Sequence, residues 1–463
     1  MTTHPNAAPL ELVDQVTSLR GVFARGRTQG VDWRRRQLQA IEKLLDEGED
    51  EIVAALAQDL GRQRAEAWLG DIASTKGEAV FARKHLGKWM RRRKLRIPMN
   101  QLPGSAWVQY EPLGVVLIIA PWNYPVYLAL GPLVAALAAG NCAVVKPSEL
   151  TPATSALLAR LIPQYLDADA VAVVEGAAET TQQLLSLGFD HVLFTGGTGI
   201  GSKVMAGAAA TLTPVTLELG GKSPVIVASD ADLEVAARRI AWGRLLNSGQ
   251  TCVAPDYVLV EKTVQDKLVG HIVDTVTSFR SGTDTGMRIV NERQFDRLVG
   301  YLDATKGTVA VGGRSDRDSL TIEPTVLVDP DPDEPAMTDE IFGPILPVIA
   351  VDSVQQAIEF ANARPKPLAL YVFSGSKTTS RRIIDSVPAG GAVVNHVAMH
   401  LLAPQLPFGG VGASGMGSYH GEWGFQTMSH RKAVLAKTTK PDLKLFYPPY
   451  TDRTLKIMRR LLG

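Results

Sequence analysis

The sequence predicts an α/β protein made of two parallel-sheet units. After Pro103, short apolar runs alternate with helical stretches, which is typical of parallel strands joined by helices that cover both faces of a sheet. The alternation starts again after Gly220-Gly221, which we interpret as a hinge between the units. The length of 463 residues fits two large units or about three smaller ones.

The apolar and helical runs place individual elements. The strands predicted after Pro103 are 115–119, 143–145, 191–194, 214–217 and 225–227, with helices at 152–166 and 179–187. The second series predicts helices at 233–246, 354–363 and 380–386, and strands at 257–260, 346–351, 369–373 and 392–395. Thr151-Pro152 is a typical helix start, because a hydroxyl can cap a helix and proline suits its first position.

The two ends of the chain differ from these units. The first hundred residues are predicted to be helical, since their apolar residues recur at three- and four-residue spacing. Examples are Leu38, Ile41, Leu44 and Leu45. From Pro441 onward, aromatic and basic residues predict an appended tail.

Composition narrows the possible partners. The formal net charge of +1 gives no reason to expect nucleic acid as a partner. The first ten residues lack the basic and apolar regions of a secretory signal, and the longest apolar stretches, such as 126–139, are interrupted and too short for a membrane span. With only two cysteines, the chain is expected to reside in a reducing cytoplasm.

Cys252 ends the run Asn-Ser-Gly-Gln-Thr-Cys at 247–252. The glycine in this run lets the backbone bend close to whatever the sulfur meets. A nucleophilic role requires surroundings that lower the pKa of the thiol, because the thiolate is the reactive form. The alternative is a small buried apolar residue, which is what most free cysteines are. We assign that inert role to Cys142, at the start of a predicted buried strand.

Polar residues follow several predicted strands, where open α/β sheets place their sites. Pro-Trp-Asn-Tyr-Pro at 121–125 could present an amide donor to an oxyanion, or form a packed turn. Lys-Pro-Ser-Glu at 146–149 could bind sugar hydroxyls, or form a surface ion pair. The glycine-rich run 196–201 opens a helix as phosphate loops do, although it does not match the G-x-G-x-x-G dinucleotide fingerprint.

Two carboxylates stand beside glycine turns. Glu218 precedes Gly220-Gly221, and Glu340 lies in Glu-Ile-Phe-Gly-Pro at 340–344. A partly desolvated carboxylate at such a position can act as a general base, although each is more often structural. His396 and His400 have the spacing of a metal pair, but no third-ligand motif accompanies them, so no metal site is expected.

The motifs taken in order resemble the aldehyde dehydrogenase superfamily from about residue 30 to about residue 435. The ending Leu-Pro-Phe-Gly-Gly-Val-Gly-Ala-Ser-Gly-Met-Gly-Ser-Tyr-His-Gly at 406–421 and the short N-terminus resemble its class 3 branch. That branch includes fatty, aromatic and coniferyl aldehyde dehydrogenases. The resemblance implies two Rossmann-like domains, one for the cofactor and one for catalysis, with a small β element for bridging and oligomerisation.

The resemblance also implies domain limits. The cofactor domain would comprise 1–88 and 108–217, and the catalytic domain 218–403. Bridging segments would be 89–107 and 425–445, followed by a tail at 446–463. The branch is commonly dimeric, so we expect a homodimer in which the tail helps to cover the partner or the tunnel mouth.

Residue roles follow from the same resemblance. Cys252 would be the nucleophile, Asn123 the oxyanion donor together with the Cys252 backbone N–H, and Glu218 the base that hydrolyses the thioester. Glu340 would hold the nicotinamide ribose, although in this branch it is also a candidate base. The positions that would bind the cofactor are Trp122, Lys146, Glu149, Gly196, Gly197, Thr198, Gly201, Leu219, Glu340 and Phe342. Gly197 replaces the serine or asparagine of many relatives, so a side-chain contact to phosphate is absent there.

The implied reaction is oxidation of an aldehyde to a carboxylic acid with NAD, and NADP is also possible. The Glu149 carboxylate favours NAD because it repels a 2′-phosphate. By resemblance, an apolar tunnel of Tyr124, Leu128, Trp242, Leu246 and Leu401 favours a hydrophobic aliphatic or aromatic aldehyde. Two alternatives are a CoA-acylating enzyme, which Glu218 disfavours, and a non-catalytic crystallin-like protein.

Overall fold

The computed structural model describes residues 9–280, 287–442 and 446–462. The helices are α1 Leu10–Ala24, α2 Val31–Glu47, α3 Glu49–Leu60, α4 Arg64–Ala67, α5 Ser74–Trp89, α6 Tyr127–Ala139, α7 Pro152–Tyr165, α8 Ala178–Ser186, α9 Thr198–Ala209, α10 Leu233–Leu245, α11 Gln265–Arg280, α12 Glu292–Ala304, α13 Pro335–Thr338, α14 Val354–Asn362, α15 Lys377–Ser386, α16 Gly421–Thr427 and α17 Asp452–Leu462. A π-helical turn, Trp68–Ala73, joins α4 to α5. Short 3-10 turns lie at Met99–Gln101, Leu246–Gly249, Lys262–Val264 and Met399–Leu402.

The strands form two large sheets and two small ones. They are β1 Arg93–Leu95, β2 Gly104–Pro112, β3 Val115–Ile119, β4 Cys142–Lys146, β5 Val171–Val173, β6 His191–Gly196, β7 Val215–Leu219, β8 Pro224–Val227, β9 Tyr257–Glu261, β10 Thr308–Val311, β11 Ser315–Asp316, β12 Thr321–Ile322, β13 Thr325–Val328, β14 Ile345–Val351, β15 Ala369–Phe373, β16 Gly391–Val394, β17 Gly415–Met416 and β18 Ser429–Lys437. The predicted strands and helices of the two series are confirmed, with ends shifted by at most three residues. The prediction that the first hundred residues are helical is wrong at β1, which forms a strand there.

The first large sheet has the order β17-β7-β6-β3-β4-β5, and it is parallel except for β17. The second has the order β10-β13-β14-β9-β8-β15-β16 and is parallel except for β10. The predicted strand 225–227, grouped with the first series in the sequence, is β8 of this second sheet. Two Rossmann-like α/β sheets are therefore confirmed.

A three-stranded antiparallel sheet, β1-β2-β18, stands apart from both large sheets. Its longest pairing runs from Ser429 opposite Pro112 to Lys437 opposite Gly104. The chain thus returns from its C-terminal part to a strand that precedes the first sheet. Most of β18 is exposed, which leaves its outer edge open to solvent.

The apolar run 126–139 is buried in the protein. It forms α6, in which every residue is buried, and the helix ends at Gly140 in the left-handed conformation with φ 91°. None of the described helices combines the length and the hydropathy that crossing a bilayer requires.

The expectation that the Thr151 hydroxyl caps α7 is wrong. That hydroxyl donates to the Ser148 carbonyl at 3.4 Å and makes no capping bond. The Asp59 carboxylate occupies the position instead and accepts hydrogen bonds from the backbone N–H groups of Ala153 at 3.1 Å and Thr154 at 2.8 Å. An ionised carboxylate complements the helix dipole better than a hydroxyl, so the distant residue replaces the local one.

Residues of β6 and β7 in the first large sheet and of the segment that leads into β9 of the second line one cavity. The carboxyl ends of β3, β4, β6 and β7 lie at one edge of the first sheet, where Pro121 to Asn123, Lys146 and Glu218 follow or end the strands. Cys252 and Glu340 lie in the segments that lead into β9 and β14 of the second sheet. The topology therefore brings residues that are far apart in sequence to one junction.

Candidate active site

A cavity of about 830 Å³ lies at this junction and contains Cys252, Glu218 and Thr195 in its lining. All five residues predicted to form a tunnel line it: Tyr124, Leu128, Trp242, Leu246 and Leu401. The cavity extends past the π-helical turn near Leu69 toward Arg314 and Glu323 on and beside the small β11–β12 hairpin. It therefore connects the thiol to the protein surface through mainly apolar walls.

The loop before Cys252 has an unusual backbone. Asn247, Ser248 and Gly249 all have positive φ, at 53°, 54° and 75°. A Cβ on Gly249 would lie 2.1 Å from the Gly343 carbonyl, so only glycine fits there. The backbone N–H groups of Cys252 itself and of Val253 face the sulfur and favour its anionic form.

The described residues around Cys252 do not lower the pKa of its thiol. Burial, followed by the charges of Glu340 and Glu218, raises the pKa of the thiol to about 12. Both burial and the nearby carboxylates oppose a further negative charge on the sulfur. A positive charge or a proton acceptor brought to the thiol would favour the thiolate.

Asn123 lies directly beneath this loop. Its side-chain Nδ2 donates to the Gln250 carbonyl at 3.1 Å, which uses one of its two N–H groups. The backbone carbonyl of Asn123 accepts hydrogen bonds from Asn247 Nδ2 at 2.8 Å and from the guanidinium of Arg62. The amide is buried, with 3 % of its surface exposed, and its orientation is fixed by these partners.

Glu218 is buried without a partner. Neither carboxyl oxygen has a hydrogen bond among the described residues, and 3 % of the side chain is exposed. Burial raises the pKa of Glu218 well above its ordinary value. Its neighbour in the adjacent strand is Thr195, whose hydroxyl is also buried without a described partner. These are the unpartnered polar atoms that a bound molecule can satisfy.

Glu340 is buried too, but it is held in place. Burial and the charge of Asp256 raise the pKa of Glu340 to about 7, while the Gly221 N–H, Lys222 and Arg297 stabilise its anion. One oxygen, Oε1, has no hydrogen-bond partner among the described residues. A Cβ on Gly220 would lie 2.3 Å from this oxygen, so Gly220 must remain glycine for the carboxylate to sit there.

The turn that carries Glu340 is held by buried charges. Lys222 Nζ donates to Asp256 at 2.7 Å and to the Asp339 carbonyl at 2.9 Å. Arg297 donates to the carbonyls of Glu340 and Ile341 at 3.2 and 2.7 Å. Phe342, two residues along, meets Trp122 edge-on at 5.4 Å between ring centroids. Both aromatic rings thus lie at the same junction.

The remaining residues predicted to bind the cofactor lie along the carboxyl edge of the first sheet. Lys146 Nζ is buried and donates to the carbonyls of Pro147 at 2.8 Å and Gly176 at 2.6 Å, with Glu149 at 3.4 Å. Lys146 is thus an internal anchor for this turn, while the Glu149 side chain remains 46 % exposed.

The glycine loop leads into α9. Gly197 is extended and Thr198 begins the helix, so backbone N–H groups of the first turn face outward. Open space surrounds Gly197, whereas a Cβ on Gly196 would lie 2.5 Å from the Phe194 ring. At Gly201, a Cβ would lie 2.7 Å from Leu219, so α9 packs closely on the end of β7. The loop has the form of a cradle for an anion.

The other candidates are not part of the cavity lining. Cys142 is fully buried in β4, and burial raises the pKa of its thiol to about 12. His396 follows β16 and His400 lies in a 3-10 turn, so their spacing does not place them on one helix face. In the described part of the chain, no group of three or more His, Cys, Asp or Glu side chains is arranged around a possible metal ion.

Two residues that contact the site were not predicted from the sequence. Arg62 and Asp71 form an ion pair with 1 % and 0 % of their side chains exposed, and they bind Asn123 and the backbone of Val126, three residues later. Neither belongs to one of the motifs, and charged residues in a helical region are usually solvated. Only their burial reveals them.

A sequence profile of the aldehyde dehydrogenase family matches residues 11–434. The chain belongs to the aldehyde dehydrogenase family. It is 47 % identical over 444 residues to aldehyde dehydrogenase family 3 member A2 of Rattus norvegicus, covering 95 % of this chain and 91 % of that protein. This dehydrogenase therefore catalyses NAD(P)+-dependent oxidation of an aldehyde.

Solved structures show the same architecture. A substrate-bound Staphylococcus aureus AldH superimposes with a TM-score of 0.93 at 40 % identity, covering 97 % of this chain and 99 % of that one. A betaine aldehyde dehydrogenase mutant from the same organism, in complex with NAD+, has a TM-score of 0.85 at 27 % identity, covering 97 % of this chain and 94 % of that one. The two-domain fold is therefore that of aldehyde dehydrogenases.

The pKa of Cys252 makes a direct prediction for the dehydrogenase without its cofactor. Alkylation of Cys252 by iodoacetamide should accelerate about tenfold per pH unit from roughly pH 7 to 9.5, because the thiolate fraction rises steadily below a raised pKa. The measurement is the mass of the Cys252 peptide over time, with Cys252→Ser reporting background labelling of Cys142. A rate that levels off below about pH 8 would instead indicate a thiolate already stabilised in the free enzyme.

Proposed function

We propose that Cys252 is the nucleophile of this dehydrogenase. The observation that carries this is its position in the apolar cavity that Glu218 of β7 also lines, at the end of the loop in which Gln250 accepts a hydrogen bond from Asn123. The sulfur attacks the aldehyde carbonyl and forms a thiohemiacetal, and loss of a hydride converts this to a thioester. The second N–H of Asn123 and the Cys252 backbone N–H would stabilise the oxyanion of the first intermediate.

The cofactor would lie along the carboxyl edge of the first sheet. NAD(P)+ supplies the hydride acceptor of the reaction. The glycine cradle at 196–201 fits a pyrophosphate, and the unpartnered Oε1 of Glu340 fits a ribose hydroxyl. Trp122, Leu219 and Phe342 would form the apolar surface beside it. The exposed carboxylate of Glu149 supports a preference for NAD over NADP, because it repels a 2′-phosphate.

Glu218 is the proposed base for hydrolysis of the thioester. It shares the cavity with Cys252, and both of its oxygens are free to bind a water molecule. The Glu340 carboxylate is instead held by the Gly221 N–H and nearby cations, which suits a binding role. A raised pKa makes Glu218 a stronger base once its proton is lost, and below this pKa the acid form cannot activate water.

The substrate is proposed to be a hydrophobic aldehyde, either aliphatic or aromatic. The tunnel residues Tyr124, Leu128, Trp242, Leu246 and Leu401 present apolar or aromatic surface to it. The arginines that line the cavity are each paired with a carboxylate: Arg62 with Asp71, and Arg280 and Arg314 with Glu323. Arg280 and Arg314 share one carboxylate, but Glu66, Glu218 and Asp316 also line the cavity, so its carboxyl groups outnumber its three arginines, which disfavours a substrate with its own carboxylate.

The proposal includes the domain limits given above and a homodimer. The exposed edge of β18 in the three-stranded sheet supports the homodimer, because an unpaired strand edge can join a second subunit. Light scattering of the purified protein gives the mass that tests the dimer, and a monomeric mass at micromolar concentration would contradict it.

Replacing Cys252 by alanine should abolish NADH production from every aldehyde, because the other cysteine of the sequence, Cys142, is buried in β4 and is not part of the cavity lining. Binding of NAD, followed by the quenching of tryptophan fluorescence, should remain within about twofold of the unaltered enzyme. Glu340→Gln provides the contrast, since it should weaken NAD binding while leaving some turnover. Normal NADH production by Cys252→Ala would reject the assignment. CoA thioester as the product would show an acylating enzyme.

The apolar tunnel predicts a clear substrate order. The kcat/KM should rise from propanal to nonanal by at least about tenfold, because each buried methylene contributes up to about 0.8 kcal/mol. Succinic semialdehyde should be poorer than butanal of similar length. Both series are measured with NAD and with NADP. The substitution Glu149→Gln should reduce the difference in kcat/KM between the two cofactors. Equal kcat/KM for semialdehyde and butanal would contradict the tunnel assignment.

A further inference from the structure

The ion pair between Arg62 and Asp71 lies beside the catalytic loop and is completely enclosed by protein. Removing two charges from water is costly, and an apolar pair of the same size is often equally stable or more so. A buried pair at this position therefore calls for an explanation beyond stability. The contacts of its two ends supply one.

The Arg62 end reaches both loops that form the proposed oxyanion site. Its Nη2 donates to the Asn123 carbonyl and, at 2.7 Å, to Asn247 Oδ1. Its guanidinium also lies over the Tyr124 ring, 4.7 Å from the ring centroid. One planar cation thus contacts two consecutive residues of the first sheet's loop and one residue of the cysteine loop.

The Asp71 end holds the start of α6. Its Oδ1 accepts hydrogen bonds from the backbone N–H groups of Val126 at 3.0 Å and Tyr127 at 2.9 Å. The carboxylate thereby complements the positive end of this buried helix. The chain segment 123–127 is consequently fixed at its beginning by Arg62 and at its end by Asp71.

Asn247 closes the network. Its Nδ2 donates to the Asn123 carbonyl at 2.8 Å and to the Gln250 carbonyl at 3.0 Å, and Asn123 Nδ2 donates to the same Gln250 carbonyl at 3.1 Å. The left-handed backbone at Asn247 is needed to present its side chain this way. The orientation of the Asn123 amide is thus set by groups that Arg62 holds.

We propose that Arg62 is a positioning residue for the oxyanion step: with Asp71 as its counterion, it aligns Asn123 against the loop of Cys252. This rests on the proposed function of Asn123 and Cys252. A lysine could keep the charge but could not bridge Asp71, Asn123 and Asn247 together, because the ammonium is a point charge and the guanidinium a planar fork.

Two electrophiles that react with the same sulfur separate an effect on positioning from other effects. p-Nitrophenyl acetate is attacked at its carbonyl carbon, passes through an oxyanion, forms an S–C bond and releases p-nitrophenolate. Iodoacetamide is attacked at a saturated carbon and releases iodide, with no oxyanion. Arg62→Gln should slow acylation by about 10- to 100-fold, while alkylation stays within about twofold.

Arg34→Gln is the matched control. Arg34 is equally buried, at 4 % exposed, and its guanidinium donates to the carbonyls of Thr28 and Ala138, which lie outside the cavity. This variant should leave the ratio of acylation to alkylation unchanged. If Arg62→Gln does not fold, Arg62→Lys decides, and it should give a smaller loss of acylation with alkylation preserved.

A double-variant cycle gives the final distinction. On an Asn123→Ala background, Arg62→Gln should cause no further loss of acylation, because Arg62 acts through Asn123. Additive losses, or equal slowing of both reagents, would overturn the inference and leave Arg62 as a stabilising residue only. Unchanged acylation in Asn123→Ala alone would contradict the proposed role of Asn123 and the inference with it.

Discussion

The hydrogen bond between the Asn123 side chain and the Gln250 carbonyl joins the two α/β units at the point where chemistry is proposed to occur. Asn123 belongs to the carboxyl edge of the first sheet, and Gln250 to the loop that leads into the second. Neither unit contains the site alone. The buried network that holds this bond is therefore the constraint on which the arrangement of thiol, amide and carboxylates depends.

Burial raises the pKa of each of three ionisable groups at the junction, but their surroundings differ. It raises the pKa of the Cys252 thiol to about 12, that of Glu340 to about 7 and that of Glu218 well above its ordinary value. The difference between the glutamates comes from the Gly221 N–H, Lys222 and Arg297, which stabilise the anion of Glu340 only. One carboxylate is thus held for binding and the other left free for water.

The sequence predicted the parallel strands because their apolar runs are continuous, and it predicted Cys252, Asn123 and Glu340 because each lies in a recognisable motif. It missed short strands such as β11 and β12, which pair with each other in a separate hairpin and have no apolar period. It also predicted that the Thr151 hydroxyl caps α7, whereas the carboxylate of Asp59, which is distant in sequence, caps that helix. Arg62 and Asp71 could not be found, because their role depends on burial that only the folded chain creates.

The central claim is that a thioester forms on Cys252 and that Glu218 is needed to release it. The most direct measurement is the intact mass of Glu218→Gln after mixing with nonanal and NAD, followed by mapping of the modified peptide. We predict one acyl group on the Cys252 peptide, one NADH per subunit and little further turnover. Normal turnover without an accumulated adduct, or an acyl group on another residue, would contradict the account.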